Sequence, residues 1–543
     1  MALSRPVLLQ TGPRNRPMNP LTPSDAMMPT QGATRRNTVV TALLILAWLA
    51  ATAWARPLLI PDEGRYVGVA WEMMRSGDWL TPTLNGLPYF HKPPLFYWIT
   101  AASMSVFGMN EWAGRAAPLL GATLGAFALF AFTRRWVGER AARYTLLALL
   151  AQPLWLVGGQ FANLDMLVAG CIAATVLLLA DAAMSFERGL AFRRALLGAY
   201  AMAALGILAK GLIGAVLPAL VVIVWLALTR RWKTLWAMLS VPGIAVFLLV
   251  AAPWFIAMQL RFPDFLNYFF VVQHFKRFAA AGFNNPQPFW FYPAVLMLAS
   301  LPWLPWLHRL FKRGYWSDTE RAPLRILMWV WLIVIVGFFT LPKSKLLGYV
   351  LPTVVPLAYL ITDGFLCMAA PTSRVRKLWW ASLAVSVAVG LVAVAGLTMF
   401  PRKSSPALAH ALGAQRGAHQ PVYMLGQYHF SVPFYARMID PAHVVDDWSD
   451  PEVFKQDNWR KEVADAGRFD KARAAAFLIE PAGLAAALCQ PTVSWIIGPS
   501  TAVDRYPFLA QAQVAFMQRE LTLWKVEPEK PALASALACA PAK

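Results

Sequence analysis

Apolar stretches of about twenty residues recur along this chain, and at every second gap between them stands a cluster of arginine and lysine. A soluble domain has no place for so many such runs, because its helices bury one stripe and wet the other. With 58% hydrophobic and 14% charged residues over 543 positions, the chain reads as a polytopic α-helical membrane protein. The basic clusters fall at Arg134, Arg135, Arg140 and Arg143, at Arg188, Arg193 and Arg194, and at Arg230, Arg231 and Lys233. Two more fall at Arg309 to Arg325 and at Arg374, Arg376 and Lys377. Placing all of them on the cytoplasmic side turns the segments near 61–93, 160–165, 261–288 and 342–349 outward, together with the Lys210-Gly211 turn. The count is roughly 11–13 transmembrane helices, depending on two marginal runs. An odd number leaves everything after about Pro401 outside. The net charge of +21 is then a topology signal, and no nucleic-acid partner is expected.

Three regions follow. Residues 1–36, with six prolines and no apolar period, read as a flexible cytoplasmic tail. Residues 37–400 read as a transmembrane catalytic domain whose first helix is uncleaved and whose outer loop covers 61–111. Within that loop, Arg65 to Arg75 has the pattern of an amphipathic helix lying at the outer surface. Pro94 to Gly108 is apolar but too short to span, and suits an interfacial or re-entrant helix. Residues 401–543 read as a small periplasmic α/β domain, with strands at Pro421–Leu425, Ala475–Ile479 and Val493–Ile497 and a helix from Asp450 to Ala466. Cys171 and Cys367 sit in apolar runs and read as buried thiols, whereas an oxidising compartment permits one bridge between Cys489 and Cys539.

Ionisable groups at the edge of the hydrocarbon are costly unless paired or used, so those on the outward side are the candidates for chemistry. Asp62 either caps the helix that follows or takes part in catalysis, and its neighbour Glu63 points elsewhere, toward Arg65 or Arg75. Asp165, in a break between two apolar runs, has the same two readings. Lys92, Arg277, Lys343 and Lys345, with Tyr89 and Tyr349, bring cations and phenols to a face where the loop bias disfavours positive charge. Apart from snorkelling, such a cluster calls for an anion, and phosphate fits. His91 and His274 are the histidines of the outward membrane loops. With a carboxylate they can hold a divalent ion such as Zn or Mg, although no ligand spacing marks such a site, and ordinary hydrogen bonding is their default.

Taken together, Asp62-Glu-Gly-Arg-Tyr, Ser76-Gly-Asp-Trp, Asn85-Gly-Leu-Pro-Tyr-Phe-His-Lys-Pro-Pro-Leu-Phe-Tyr-Trp, Asn163-Leu-Asp, His274-Phe-Lys-Arg-Phe and Lys343-Ser-Lys-Leu-Leu-Gly-Tyr resemble the bacterial lipid A aminoarabinose transferases. These are protein-mannosyltransferase-like glycosyltransferases of the GT-C type. The resemblance runs from about residue 35 to 366 and is weak in the tail. It departs from the family at His91, where relatives often carry Glu, and at Leu347, where the pattern has proline. The resemblance implies an inverting transfer of 4-amino-4-deoxy-L-arabinose from undecaprenyl phosphate to a lipid A phosphate at the periplasmic face of the bacterial inner membrane, giving polymyxin resistance. It assigns Asp62 and Asp165 as the important carboxylates and Lys92, Arg277 and Tyr349 as the grip on the carrier phosphate. The alternatives are a polyprenyl-phosphate-sugar-dependent transferase acting on protein or another glycan, and a membrane transporter. A transporter would place its ionisable residues near the midplane on repeated broken helices, whereas here they gather at one face.

Overall fold

A computed structural model describes residues 31–276, 285–318, 321–368, 372–399, 404–455 and 458–539. The chain divides into two compact units, 1–43 and 44–543. Helix α1 runs from Gln31 to Ala50, so helical structure begins inside the stretch expected to be a tail.

Among the described residues six helices are long and apolar enough to cross a membrane, or seven if the pair Phe291–Ala299 and Leu301–Phe311, bent by 68°, is one span. That is fewer than the roughly 11–13 expected; Asn37–Ala50, Leu95–Phe107 and Ile213–Leu228 are apolar but shorter. The chain is a multi-pass membrane protein. Leu164–Glu187, with nearly all its residues buried, is flanked by Ala116–Trp136 and Arg193–Lys210. Small residues allow this contact where no hydrophobic force drives helices together in lipid. A Cβ on Gly170 would stand 2.0 Å from the carbonyl oxygen of Gly121.

The first outer loop is built as its pattern predicts, from α2 (Asp62–Ser76) and α3 (Leu95–Phe107), with a hairpin of β1 (Thr83–Leu84) and β2 (Leu87–Pro88) between them. Glu72 braces the hairpin, accepting hydrogen bonds from Asn85 N at 2.7 Å, Gly86 N at 2.9 Å and Thr83 Oγ1 at 2.7 Å. One expectation is corrected here. Helix α2 does not lie exposed at the outer surface, because every residue from Glu63 to Met73 is buried. The C-terminal region covers it so closely that a Cβ on Gly64 would stand 3.0 Å from Ser431 N. The polar face of α2 is spent on internal pairing.

The C-terminal region is the expected α/β domain. Its strands are β3 (Val422–Leu425), β4 (His443–Val445), β5 (Leu478–Ile479), β6 (Ser494–Pro499), β7 (Gln513–Gln518) and β8 (Leu521–Val526). They form one mixed sheet in the order β5-β4-β3-β6-β8-β7, parallel from β5 to β6 and antiparallel beyond. Of the Ala475–Ile479 strand only the last two residues pair, the rest closing a helix, and the Asp450–Ala466 helix is broken into a turn at Pro451–Phe454 and a helix at Trp459–Gly467. Cys489 and Cys539 are bridged. Cys367 is exposed rather than buried, with its Sγ 3.0 Å from Arg325 Nη2. Paired hydrogen bonds of 2.8 Å between Asn85 and Ala442 tie this domain to the first outer loop, the side that an odd number of spans requires.

Candidate active site

The neighbours Asp62 and Glu63 begin α2 and, about 100° apart on the helix, meet different surroundings. Glu63 faces inward. Its fully buried carboxylate is held by Arg56 and by Arg115, whose Nε and Nη2 lie 2.9 and 3.1 Å away, and it accepts from Ala162 N at 2.8 Å and Leu59 N at 3.0 Å. Burial alone would raise its pKa, but the two guanidiniums outweigh burial and hold it at about 2. Arg115 also donates to Ala53 O, Arg56 O and Pro57 O, so this knot welds the end of the first span to the starts of two others. Glu63 is therefore a brace behind the site.

Asp62 faces a cavity of about 650 Å³, with its side chain about 36% exposed. Its carboxylate pairs with Arg65 and, among the described residues, accepts no capping bond from the helix. Arg65 is shared with Glu462 of the Trp459–Gly467 helix and donates to Tyr66 Oη at 3.2 Å. Burial opposes its charge, yet Glu462 more than compensates and raises its pKa above the ordinary value.

Across the cavity, Asp165 is in the first turn of Leu164–Glu187. Asn163 caps that helix by accepting from Asp165 N at 2.6 Å, and its Nδ2 donates to Asp165 Oδ2 at 2.9 Å. The Asp165 carboxylate is ion-paired with Lys210, whose ammonium also lies 4.6 Å from the centre of the Tyr349 ring. Glycine at 348 permits this, since a Cβ there would stand 2.2 Å from Asp165 Oδ2.

The outward segments inferred from loop charge thus converge on one cavity, whose lining includes Tyr89, His91 and Lys92 from the first loop, Gln273, and Lys343 and Tyr349 from the 342–349 segment. Lys345 is not on the lining. Its buried ammonium donates to Gln287 O at 2.9 Å and Pro342 O at 2.8 Å, fastening the loop that carries Lys343. Arg277 lies outside the described residues, as does the side chain of His274. His91 stacks on Tyr89 and stands 3.8 Å from Asp465 Oδ2. Among the described residues no three His, Cys, Asp or Glu side chains gather to hold a metal.

Three contributions escaped the reading of the sequence. Lys210 carried a signal, being a lysine closing an apolar helix at an outward turn. Glu63 pairs with neither Arg65 nor Arg75, the partners its position suggests, but with Arg56 and Arg115, which leaves Arg65 to Asp62 and Glu462; nothing local marks Glu462, Trp459 or Gln427, which reach the cavity only because the C-terminal domain folds over it.

This arrangement of spanning helices, a helical first outer loop and a C-terminal domain capping a charged cavity is the fold of the GT-C membrane glycosyltransferases. The crystal structure of ArnT from Cupriavidus metallidurans bound to undecaprenyl phosphate superposes with a TM-score of 0.74, covering 91% of this chain and 98% of that one at 24% identity. Residues 91–256 match the family described as dolichyl-phosphate-mannose-protein mannosyltransferase. The undecaprenyl phosphate-alpha-4-amino-4-deoxy-L-arabinose arabinosyl transferase 1 of Sodalis glossinidius is 37% identical over 63% of this chain and 61% of its own length. The transferase of the same name, without the numeral, from Pectobacterium carotovorum is 31% identical over 67% of this chain and 65% of its own. The match thus spans less than two thirds of the length of either curated relative, 61% and 65%.

Proposed function

We propose that this chain is an inner-membrane glycosyltransferase that moves 4-amino-4-deoxy-L-arabinose from undecaprenyl phosphate to a phosphate of lipid A on the periplasmic side, with inversion. The observation that carries this reading is the meeting of Lys92, Lys210 and Lys343 with Asp62, Asp165 and Tyr349 in one cavity at the outward ends of the spans. The names of the relatives support the donor.

The sugar in such a donor already carries a good leaving group. An acceptor phosphate oxygen forms a bond to the anomeric carbon while the bond from that carbon to the carrier phosphate breaks, and undecaprenyl phosphate leaves with the electron pair. A phosphate acceptor brings no proton that must be removed, so the protein's work is alignment and neutralisation. Lys92 and Lys343, with Tyr349, receive the negative charge that builds on the departing phosphate; Arg277, by its place in the sequence, is proposed to join them. Asp62 is positioned to accept from the donor's amine or hydroxyls, and Asp165 holds Lys210 at its station over Tyr349. Loss of one preorganised hydrogen-bond donor facing developing negative charge typically costs about 2.7–4 kcal/mol in the transition state.

Mass spectrometry of lipid A from cells with and without the protein tests donor and acceptor together. An aminoarabinose increment that depends on the protein and vanishes with Asp62→Asn is expected. Lipid A that is identical in both cells, with the protein folded in the membrane, refutes the reading.

A further inference from the structure

The cavity has two chemically different walls. The membrane unit and first loop supply all of its cations, beside amides and rings of their own such as Asn163, Gln273 and Phe339, whereas the C-terminal domain brings no cation and, apart from Glu462, supplies Gln427, Phe430, Asn458 and Trp459. These are neutral amides and aromatic rings. Gln427 is exposed, and neither it nor the indole nitrogen of Trp459 has a hydrogen-bond partner among the described residues. Asn458 uses its oxygen to accept from Arg460 N at 2.9 Å and Lys461 N at 3.3 Å, which leaves its amide hydrogens for the cavity side. The half-buried Trp459 ring is steadied edge to face by Trp448, with centroids 6.0 Å apart.

The position of this wall is a second, independent sign. In the domain's sheet, β3 lies between β4 and β6 and is parallel to both, so the chain winds outward from β3 through β4 to β5 and then returns to β3's other side at β6. That reversal is a topological switch point, where open parallel sheets bind ligands beyond the carboxyl ends of their strands. The segment leaving the carboxyl end of β3 contains Gln427 and Phe430, and both line the cavity.

We infer that Gln427, Asn458 and Trp459, backed by the buried ring of Phe430, form the subsite for the saccharide of the acceptor glycolipid, so that the C-terminal domain is part of the active site. This rests on the function proposed above. Sugar hydroxyls need donors and acceptors together, which amides offer, and the C–H faces of sugar rings pack on aromatic faces. Phosphate needs cations, and those come from the opposite wall. A donor pentose held between the carrier phosphate and Asp62 leaves this wall to the larger acceptor sugars.

The full chain in lipid nanodiscs is titrated with lipid A and, separately, with undecaprenyl phosphate. Trp459→Ala combined with Gln427→Ala is expected to weaken lipid A binding at least tenfold and to leave undecaprenyl phosphate within about twofold. Trp459→Phe, which keeps a ring, restores most of the loss and shows that the fold is intact. Lipid A binding unchanged by the double substitution overturns the subsite alone, as does an equal loss for both ligands. Wild-type protein that binds undecaprenyl phosphate but no lipid A overturns the proposed acceptor and the subsite with it.

Discussion

Glu63 and Asp62 are adjacent carboxylates, and the structure gives them opposite phenotypes. In Glu63→Gln the side chain keeps its shape but loses the charge that two buried guanidiniums require, and its amide places donors against donors. A carboxyl held at about 2 instead of 4.5 contributes about 3 kcal/mol of stability at neutral pH, and full burial leaves little solvent to screen it. That stability is present above pH 4.5 and is lost as pH falls toward 2. The Gln variant should therefore lose roughly 3 kcal/mol at pH 7, read by denaturant unfolding in mixed micelles, and should flatten the acid limb of the wild-type curve. Its transfer rate, measured well below the transition, should fall less than tenfold. Asp62→Asn should do the reverse, unfolding within about 1 kcal/mol of wild type because its one ion pair is partly exposed, while transfer drops at least a hundredfold. A Glu63→Gln protein as stable as wild type, or an Asp62→Asn protein that turns over normally, would show that the two roles are wrongly divided.

Other substitutions probe the remaining walls. Gly348→Ala should push Asp165 off Lys210, because its methyl would fall 2.2 Å from the carboxylate oxygen; initial rates should drop at least tenfold, and an unaffected rate would mean that this pair is idle. Lys92→Ala should raise the KM for the lipid-linked donor or lower kcat by about 10²–10³, and kinetics unchanged in both would move the carrier phosphate elsewhere. His429, buried in the C-terminal domain, has its pKa lowered by burial from 6.5 to about 4. Because the folded state resists protonation there, its contribution is whole above pH 6.5 and about 3 kcal/mol is lost by pH 4. Unfolding of His429→Phe should show a smaller loss of stability between those two pH values, and a variant curve parallel to wild type would refute that assignment.

Much of the architecture was legible before any coordinates. Hydrocarbon thickness and loop charge act on contiguous residues, so the many-span character, the outward segments and the grouping of the C-terminal domain with the first outer loop could be worked out along the line of the chain. The segments assigned outward from Arg and Lys bias alone are the ones that meet at the cavity. Asp62, Asp165, Lys92, Lys343 and Tyr349 stand where charge is expensive along the sequence, and all five line the cavity.

Contacts between distant segments were not legible in this way. Nothing near Glu462 announces that it will share Arg65 with Asp62, some 400 residues earlier, and nothing near Gly348 says that Asp165 needs its missing side chain. Sequence by itself determined a many-span membrane chain with a charged outward face and a separate α/β tail, because hydropathy and charge bias are local properties. Only tertiary structure decided which carboxylate braces and which faces the cavity, that Lys210 belongs to the site, and that the tail closes over it. Those outcomes depend on helix rotation and on docking between elements hundreds of residues apart, which no local pattern records.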